Sequence, residues 1–269
     1  MELRFSPLFS GSSGNATYVG CGDTHILVDA GMSGTRVCRE LARAGVDPAA
    51  LKGILVTHEH ADHIKGIGIL SRKFDLPVYA TEGTWQGMYD KIGPIAEKNC
   101  VMFEPERDFF IGSIDVTPFP TPHDANQSVG YTFEVRGAKL AIATDVGCIK
   151  DSWLSYVVGS DAVILESNYD PDMLRAGPYP YELKKRIMSR KGHLSNDDAG
   201  AVAVELTRTG TRQIILGHLS KENNFPELAM RTCELTLQMD NLFPHEDVSL
   251  CVARRDGMTG MFGIRSEIR

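Results

Sequence analysis

Seven consecutive residues, T-H-E-H-A-D-H at 57–63, carry three imidazoles and two carboxylates. Neutral imidazole and carboxylate suit zinc, manganese and iron as ligands, and no thiolate is needed. The short apolar segment before the run predicts a buried strand, and the apolar residues after it predict a helix. A turn between the two lets neighbouring side chains converge, so we predict that His58 and His60 bind one cation. Asp62 and His63, one step further, are expected to bind a second, and a merely polar loop is the alternative.

Four polar residues follow predicted strands, and for His123 the rigid loop between strands could present an extra ligand. They are Asp29 after 25–28, Asp145 after 139–144, His218 after 213–216, and His123 on a proline-rich loop after 113–119. Three of them have an ordinary alternative. Asp29 is also suited to a turn, Asp145 to the N-cap of a helix, and a lone histidine such as His123 to a structural role.

Two further stretches are candidates for contacting phosphate. S-G-S-S-G-N at 10–15 is either a tight turn or a nest of backbone N–H groups, with Ser12 and Ser13 as candidate contacts. L-K-K-R-I-M-S-R-K at 183–191 is strongly cationic and directly precedes Gly192-His193. It is either the solvated face of a helix or a patch that follows a phosphate backbone, and we favour the patch. Its candidate contact residues are Lys184, Lys185, Arg190 and Lys191.

The composition is that of a globular protein. The 269 residues are 42% hydrophobic and 23% charged, which suits one domain with an ample core. Six scattered cysteines without a C-x-x-C pair predict reduced core residues. Apolar runs are too short for a membrane span and no signal-peptide pattern opens the chain, so we expect a cytoplasmic protein with no membrane partner. The net charge of −7 means that nucleic-acid binding would need a local basic patch.

Both halves of the chain run from strands into helices, which predicts an α/β fold. In the first half we expect a strand at 3–9, a hairpin of 16–20 with 25–28, and helices at 35–44 and 64–74. In the second half we expect a strand at 162–165, a helix at 195–207 capped by Ser195, and a helix at 223–239 that is broken or begun at Pro226. The dipeptide Asp256-Gly257 predicts a closing hairpin between strands at 248–253 and 259–264.

The run at 57–63 resembles the His-x-His-x-Asp-His signature of the metallo-β-lactamase fold. This resemblance implies a four-layer αβ/βα sandwich in a single domain, 1–269, with a two-metal hydrolytic centre. The implied ligands are His58, His60, His123 and Asp145 for the first ion, and Asp62, His63, Asp145 and His218 for the second. Asp29 is implied to lie beneath the metals and to orient their ligands. The two divalent ions would be zinc or manganese, with iron as a further option.

The resemblance also implies a chemistry. The expected nucleophile is a water or hydroxide between the ions, and Asp62 is the expected proton acceptor. The contexts of Glu166 and His193 resemble the glutamate and Gly-His motifs of the tRNA 3′-processing ribonucleases of this superfamily, which implies that Glu166 orients His193 to protonate the leaving oxygen. A thioester needs such a donor less, since a thiolate leaves unprotonated. These residues therefore favour metal-dependent hydrolysis of phosphodiesters.

Over nearly its whole length the chain resembles one branch, the YycJ/WalJ-type DNA exonucleases of bacteria. The stretches that carry this resemblance are S-G-S-S-G-N at 10–15, T-H-E-H-A-D-H at 57–63, L-E-S-N-Y-D at 165–170, G-P-Y-P at 177–180, G-H-L-S-N at 192–196 and L-G-H-L-S-K-E-N-N at 216–224. They imply degradation of DNA from 5′ to 3′, with DNA as the partner. The interval from Asp145 to His218 is too short for the cap domain of the β-CASP nucleases, so we expect no such insertion.

Two other functions stay open at this point. One is a hydrolase of a small phosphodiester, lactone or thioester on the same binuclear site. The other is a metal-binding scaffold without catalysis, against which the intact ligand set weighs. The residues alone do not fix the native metal, the choice between DNA and RNA, or the oligomeric state.

Overall fold

The computed structural model describes residues 2–265. Its strands are β1 Glu2–Phe9, β2 Ala16–Cys21, β3 Thr24–Val28, β4 Gly53–Leu55, β5 Val78–Ala80, β6 Cys100–Met102, β7 Phe109–Ile111, β8 Ile114–Pro120, β9 Val129–Val135, β10 Ala138–Ala143, β11 Ala162–Glu166, β12 Gln213–Gly217, β13 Ser249–Val252 and β14 Phe262–Arg265. Its α-helices are α1 Gly34–Arg43, α2 Ala61–Ile64, α3 Ile67–Phe74, α4 Glu82–Ile92, α5 Asp151–Val157, α6 Pro171–Ala176, α7 Tyr181–Ile187, α8 Asn196–Arg208 and α9 Pro226–Met239. Short 3₁₀ turns lie at Pro48–Ala50 and Glu97–Asn99. No helix in this described range has the length and apolar character needed to cross a membrane.

The described chain forms two compact units. The first comprises residues 2–120, 125–138 and 254–265, and the second comprises residues 121–124 and 139–253. Each unit has its own strands and helices, and each contains candidate site residues. The organisation as one domain stays a prediction.

In the first unit, strands lie side by side in the order β14-β1-β2-β3-β4-β5-β6. The pairs from β14 to β3 are antiparallel and those from β3 to β6 are parallel. Buried apolar side chains of α1, α3 and α4, such as Leu41, Leu70 and Met88, form one cluster with side chains of these strands. Val28 of β3 pairs with Leu55 of β4, so the chain leaves the sheet at one edge after both strands. The histidine-rich run begins at this edge.

In the second unit, β10, β11, β12 and β13 are parallel neighbours. Every residue of β11 is buried, as expected of a parallel strand covered on both faces. Parallel strands end at the same edge of a sheet, which is where ligands bind in open α/β sheets. This edge carries Asp145 after β10, Glu166 at the end of β11 and His218 after β12.

Several predicted elements are confirmed. The hairpin of β2 with β3 is present, and α8 begins with a full capping box in which Ser195 and Asp198 exchange hydrogen bonds. From Asp145 to His218 the chain forms α5, β11, α6, α7, α8 and β12, so this described interval contains no β-CASP insertion. Asp145 is not a helix N-cap, because α5 begins later and its N-cap is Lys150.

Two predictions about elements are wrong. The helix expected at 64–74 is divided, since α2 ends at Ile64 and α3 begins at Ile67. A Cβ on Gly66 would lie 2.5 Å from the carbonyl oxygen of Met32, so this turn packs directly on another backbone segment. The hairpin expected around Asp256-Gly257 is also absent from the described residues, because β13 pairs with β12 and β14 pairs with β1.

Candidate metal centre

Asp29 organises the imidazoles of the first unit. It is buried at the end of β3, and its Oδ1 accepts a hydrogen bond of 2.8 Å from the Thr57 amide. Its Oδ2 accepts one of 2.8 Å from the Thr57 hydroxyl and lies 2.8 Å from Nδ1 of His63. Nδ1 of His58 in turn lies 3.0 Å from the Thr57 oxygen. Asp29 therefore orients His63 directly and His58 through Thr57, a role that the sequence did not assign to Thr57.

These contacts select one tautomer for both rings. A carboxylate or hydroxyl oxygen that accepts from Nδ1 places the ring hydrogen there, and Nε2 then carries the lone pair. The ring centroid of His58 lies 4.5 Å from that of His60 and 4.1 Å from that of His63. The three histidines of the run therefore converge, as its position on a turn predicted. Asp62 is half-buried beside them, with Oδ2 3.5 Å from Nε2 of His63.

Asn15 is a site residue that the sequence analysis missed. Its Nδ2 lies 3.0 Å from Nε2 of His63 and 3.4 Å from Oδ2 of Asp62, while its backbone amide donates to the Asp62 carbonyl at 2.8 Å. Ser12 and Ser13, the predicted phosphate contacts of this loop, are exposed. Asn15 closes the S-G-S-S-G-N stretch, so its place in that motif was the available signal.

The second unit gathers four potential ligands at the end of its parallel strands. Asp145, Glu166, His193 and His218 each offer one ligand atom, and these atoms all lie within 4.8 Å of one another. Nδ1 of His218 lies 3.5 Å from Oδ1 of Asp145 and 2.9 Å from Oε1 of Glu166. Nδ1 of His193 lies 2.7 Å from the same Glu166 oxygen. Two of the predicted metal ligands, Asp145 and His218, therefore lie in one cluster with the predicted proton donor, His193, and its partner Glu166.

Hydrogen bonds distinguish Glu166 from the other members. Its Oε2 accepts from the Val146 amide at 2.6 Å and the Leu194 amide at 3.3 Å, while its Oε1 faces both imidazoles. Burial raises the pKa of Glu166, but the adjacent His193 and His218 together lower it by more than burial raises it. The pKa of Glu166 therefore lies below its ordinary value. Both carboxylate oxygens of Glu166 therefore lie against protein donors. Glu166 touches His218 as well as His193, a contact that the sequence did not predict.

His123 and His193 differ in their surroundings. Nδ1 of His123 lies 3.0 Å from the Gly192 carbonyl, which again makes Nε2 the lone-pair nitrogen, and its Nε2 lies 3.7 Å from Oδ1 of Asp145. The side chain of His123 is 1% exposed and that of His193 is 19% exposed. His193 is therefore partly open to solvent, whereas His123 is almost fully buried.

A buried amide network supports this end of the second unit. Nδ2 of Asn224 donates to the carbonyls of Ser167 and Asn168 and to Oδ1 of Asn196, at 3.0, 3.1 and 2.8 Å. Asn168 donates to the His218 carbonyl at 2.7 Å. The network joins three of the four later stretches that the sequence singled out, at 165–170, 192–196 and 216–224, and these stretches contain Glu166, His193 and His218.

Three residues of the site end strands in an uncommon backbone conformation. Asp29, Asp145 and His218 have φ values of 59°, 58° and 57°, in the left-handed region. Aspartate, asparagine and histidine adopt this region more readily than other residues with a Cβ. Each such position costs on the order of 1 kcal/mol, so the surrounding packing must impose it.

The basic run forms α7 and the turn after it. Arg186 pairs with Asp124, and Nζ of Lys184 donates to the Arg175 carbonyl at 2.7 Å. The other predicted phosphate contacts are exposed, namely Lys185, Arg190 and Lys191. The run is therefore a solvated surface, anchored by two of its cations, that leads directly to His193.

The donor chemistry of both units fits divalent metal ions. Each unit offers imidazole nitrogens, with Nε2 lone pairs fixed by protein oxygens at Nδ1, together with aspartate carboxylates. This set suits zinc, manganese or iron and contains no thiolate. Oxygen acceptors behind metal-binding imidazoles are the usual arrangement in protein metal sites.

The sequence matches the family model described as the beta-lactamase superfamily domain over residues 24–219. It is 42% identical over 238 residues to a Bacillus anthracis protein named exodeoxyribonuclease YycJ, covering 88% of this chain and 90% of that one. It is 40% identical over 232 residues to exodeoxyribonuclease WalJ of Streptococcus pneumoniae, covering 86% of each chain.

The backbone is similar to a solved structure of the same superfamily. The metallo-β-lactamase fold protein YhfI from Bacillus subtilis matches with a TM-score of 0.73 and 16% identity, over 98% of this chain and all of that one. The α/β metallo-β-lactamase fold predicted from the sequence is therefore confirmed. The chain belongs to the β-lactamase superfamily and, within it, to the family of the exodeoxyribonucleases YycJ and WalJ.

Proposed function

We propose that this protein is a metal-dependent exodeoxyribonuclease that hydrolyses phosphodiester bonds of DNA from a 5′ end. The names and the high identity of the YycJ and WalJ relatives support the choice of DNA. The observation that carries the reaction class is the contact of 2.7 Å between Glu166 and the partly exposed His193, which is the arrangement of an oriented proton donor.

The proposed ligands are the seven residues expected from the family signature. They are His58, His60, Asp62, His63, His123, Asp145 and His218. Two divalent ions, once bound, would supply Lewis acidity for hydrolysis and lower the pKa of water. The Asp62 side chain is partly exposed, whereas that of His63 beside it is fully buried. We assign Asp62 as the group that accepts the proton from the attacking water.

His193 completes the proton balance on the leaving side. Because Glu166 accepts from Nδ1, the Nε2 of His193 can carry a second proton and donate it to the departing sugar oxygen. An alkoxide is a poor leaving group without this proton, whereas a thiolate leaves unprotonated. The Glu166–His193 pair therefore supports a phosphodiester substrate over a thioester.

The exposed cations beside His193 supply a place for the DNA backbone. The chain carries a net charge of −7, so binding of a polyanion depends on such a local patch. Replacing Lys185, Arg190 and Lys191 by alanine should weaken DNA binding and flatten its salt dependence by up to ~0.9 in log–log slope per lost duplex phosphate contact.

The decisive experiment is incubation of the metal-reconstituted protein with end-labelled duplex DNA and Mn²⁺, followed by analysis of the product ladder. Stepwise loss from the 5′ end is expected. His193→Asn should slow it at least ~10²-fold, the magnitude of general acid catalysis. His245→Asn is the matched control, because His245 is exposed and lies outside the candidate site. Loss from the 3′ end would contradict the proposed polarity.

The acidic net charge favours one second candidate, the hydrolysis of a small phosphodiester. No degradation of duplex or single-stranded DNA with Mn²⁺, Zn²⁺ or Mg²⁺ would refute the nuclease proposal. Turnover of a chromogenic phosphodiester under those conditions would then support the second candidate.

A further inference from the structure

We propose that the surface leading to His193 binds unpaired nucleotides, with the ring of Tyr181 stacked on a base. This inference rests on the proposed function and specifies the form of its substrate. It uses G-P-Y-P at 177–180 and the helix that follows, for which the reaction itself assigns no role.

Large apolar side chains are exposed just before the basic run and within it. Tyr181, the first residue of α7, is 74% exposed, and Met188, just after α7, is 42% exposed. The exposed side chains of Lys185, Arg190 and Lys191 lie in the same stretch. Tyr181 therefore offers a ring face to a ligand one helical turn before Lys185, with the exposed carboxylate Glu182 between them in sequence.

Two close packing contacts, one with a backbone carbonyl and one with a side-chain amide, place further exposed apolar residues on neighbouring segments. A Cβ on Gly147 would lie 2.6 Å from the Arg190 carbonyl oxygen, so the segment that continues to Ile149 packs on the basic run. A Cβ on Gly177 would lie 2.8 Å from Oδ1 of Asn223, so the loop before Tyr181 packs beside the segment that continues to Phe225. Ile149 and Phe225 are 40% and 46% exposed. Exposed apolar side chains therefore lie on segments that pack beside the basic run and beside the loop before Tyr181.

The surface is held at a fixed spacing from the proposed proton donor. The His193 amide donates to the Ile187 carbonyl at 3.0 Å, which ties His193 to the end of α7. Lys184 bonds the Arg175 carbonyl, and Arg186 pairs with Asp124. Along α7, Tyr181 lies ~9 Å from Ile187 at 1.5 Å per residue. That length corresponds to about three stacked nucleotides at 3.4 Å each.

The combination of side chains favours an unpaired strand. In a duplex the faces of the bases are covered by their neighbours, so cations alone would suffice to bind it. Sites for single strands combine a cationic surface with side chains on which successive bases stack. The positive charge of the run favours binding of a nucleic acid. The exposed Tyr181 ring favours an unpaired strand, because only an unpaired base has a free face to stack on it.

The test measures binding of the metal-loaded protein to phosphorothioate oligonucleotides, which resist cleavage, in single-stranded and duplex form. Tyr181→Ala should weaken single-strand binding ~5- to 150-fold, the range for one stacked base, and should affect duplex binding little. Tyr181→Phe should restore affinity, since it keeps the ring. Tyr89→Ala is the matched control, because Tyr89 on α4 is 54% exposed and belongs to the other unit.

Two further measurements separate stacking from charge and from damage to the fold. Tyr181→Ala should keep the slope of affinity against salt, whereas Lys185→Ala should reduce it by ~0.7. Abasic sites placed in turn along the 5′ end should weaken wild-type binding at one position, and Tyr181→Ala should be insensitive there.

The inference would be overturned if Tyr181→Ala bound DNA as Tyr89→Ala does, or if it lost duplex and single-strand affinity equally. The proposed function would still stand in either case, provided that the wild type degrades DNA. A wild type that neither binds nor degrades any DNA would instead refute the proposed function itself.

Discussion

Replacing Asp29 by asparagine tests the hydrogen bonds that orient the imidazoles of the first unit. Asparagine keeps the size of the side chain and tolerates the φ of 59°, so the backbone should not change. Oδ1 must continue to accept from the Thr57 amide, which has no other role than donor. The new NH₂ group then faces two donors, the Thr57 hydroxyl and Nδ1 of His63. The hydroxyl can rotate its hydrogen away, but the hydrogen on Nδ1 is fixed in the ring plane.

The least costly response is a change of tautomer. His63 moves its hydrogen to Nε2, so that Nδ1 can accept, and the lone pair for a metal is lost. The opposite rotation of the amide leaves the buried Thr57 N–H facing a donor, at a cost of ~1–3 kcal/mol. We therefore expect Asp29→Asn to lower metal affinity ~10- to 100-fold, the usual effect of removing a partner behind a ligand.

Competition with a chelator should measure the zinc affinity, and ¹⁵N NMR of the imidazoles of the metal-free protein should report the tautomer. Asp23→Asn is the control, because Asp23 is exposed on the turn before β3. Thr57→Val should disturb His58 while leaving the direct contact of Asp29 with His63. Unchanged zinc affinity in Asp29→Asn, with the hydrogen still on Nδ1 of His63, would refute this reasoning.

Three other predictions address separate parts of the molecule. Glu40 of α1 is buried; burial raises the pKa of its carboxyl, but the Met258 amide, Arg39 and Arg43 hold it below its ordinary value of 4.5. The ionised Glu40 carboxylate therefore stabilises the fold above pH ~4.5, and this stabilisation is lost as the pH falls through the lower pKa of the folded state. In denaturant titrations, the difference in unfolding free energy between wild type and Glu40→Gln should shrink as the pH is lowered. A difference that does not depend on pH would contradict this. Asn224→Ala leaves several buried groups without their donor and should destabilise the protein by at least ~2 kcal/mol in urea unfolding, whereas a loss within error would mean that water replaces the amide. His218→Asn should reduce the metal content measured by elemental analysis and His193→Asn should not, and the reverse result would exchange their proposed roles.

The sequence predicted the elements whose signals are local. Strand ends at Asp29, Asp145 and His218 were placed correctly because apolar β-branched runs stop at those polar residues. The capping of α8 by Ser195 depends only on neighbouring residues, and it was also correct. The convergence of the three histidines of the 57–63 run followed from their spacing on a turn.

The errors have a common physical origin in contacts between distant segments. Asp256-Gly257 has the composition of a hairpin turn, but composition does not specify which edges the flanking strands join, and β14 pairs with β1 instead. The break at Gly66 arises from packing on Met32, which the apolar pattern of 64–74 does not record. Asn15 escaped notice because its contacts with Asp62 and His63 depend on the fold of the whole first unit.

The left-handed turns at Asp29, Asp145 and His218 restrict what evolution can place there. Any replacement must suit the backbone before it can suit a metal, and asparagine and glycine are the residues that do so at little cost. A relative that loses its chemistry should therefore acquire asparagine or glycine at these three positions more often than alanine or a β-branched residue. In such a relative the strand ends would keep their left-handed backbone conformation after the metal ligands had been lost. Asparagine or glycine at these three positions would then mark where the metal site had been.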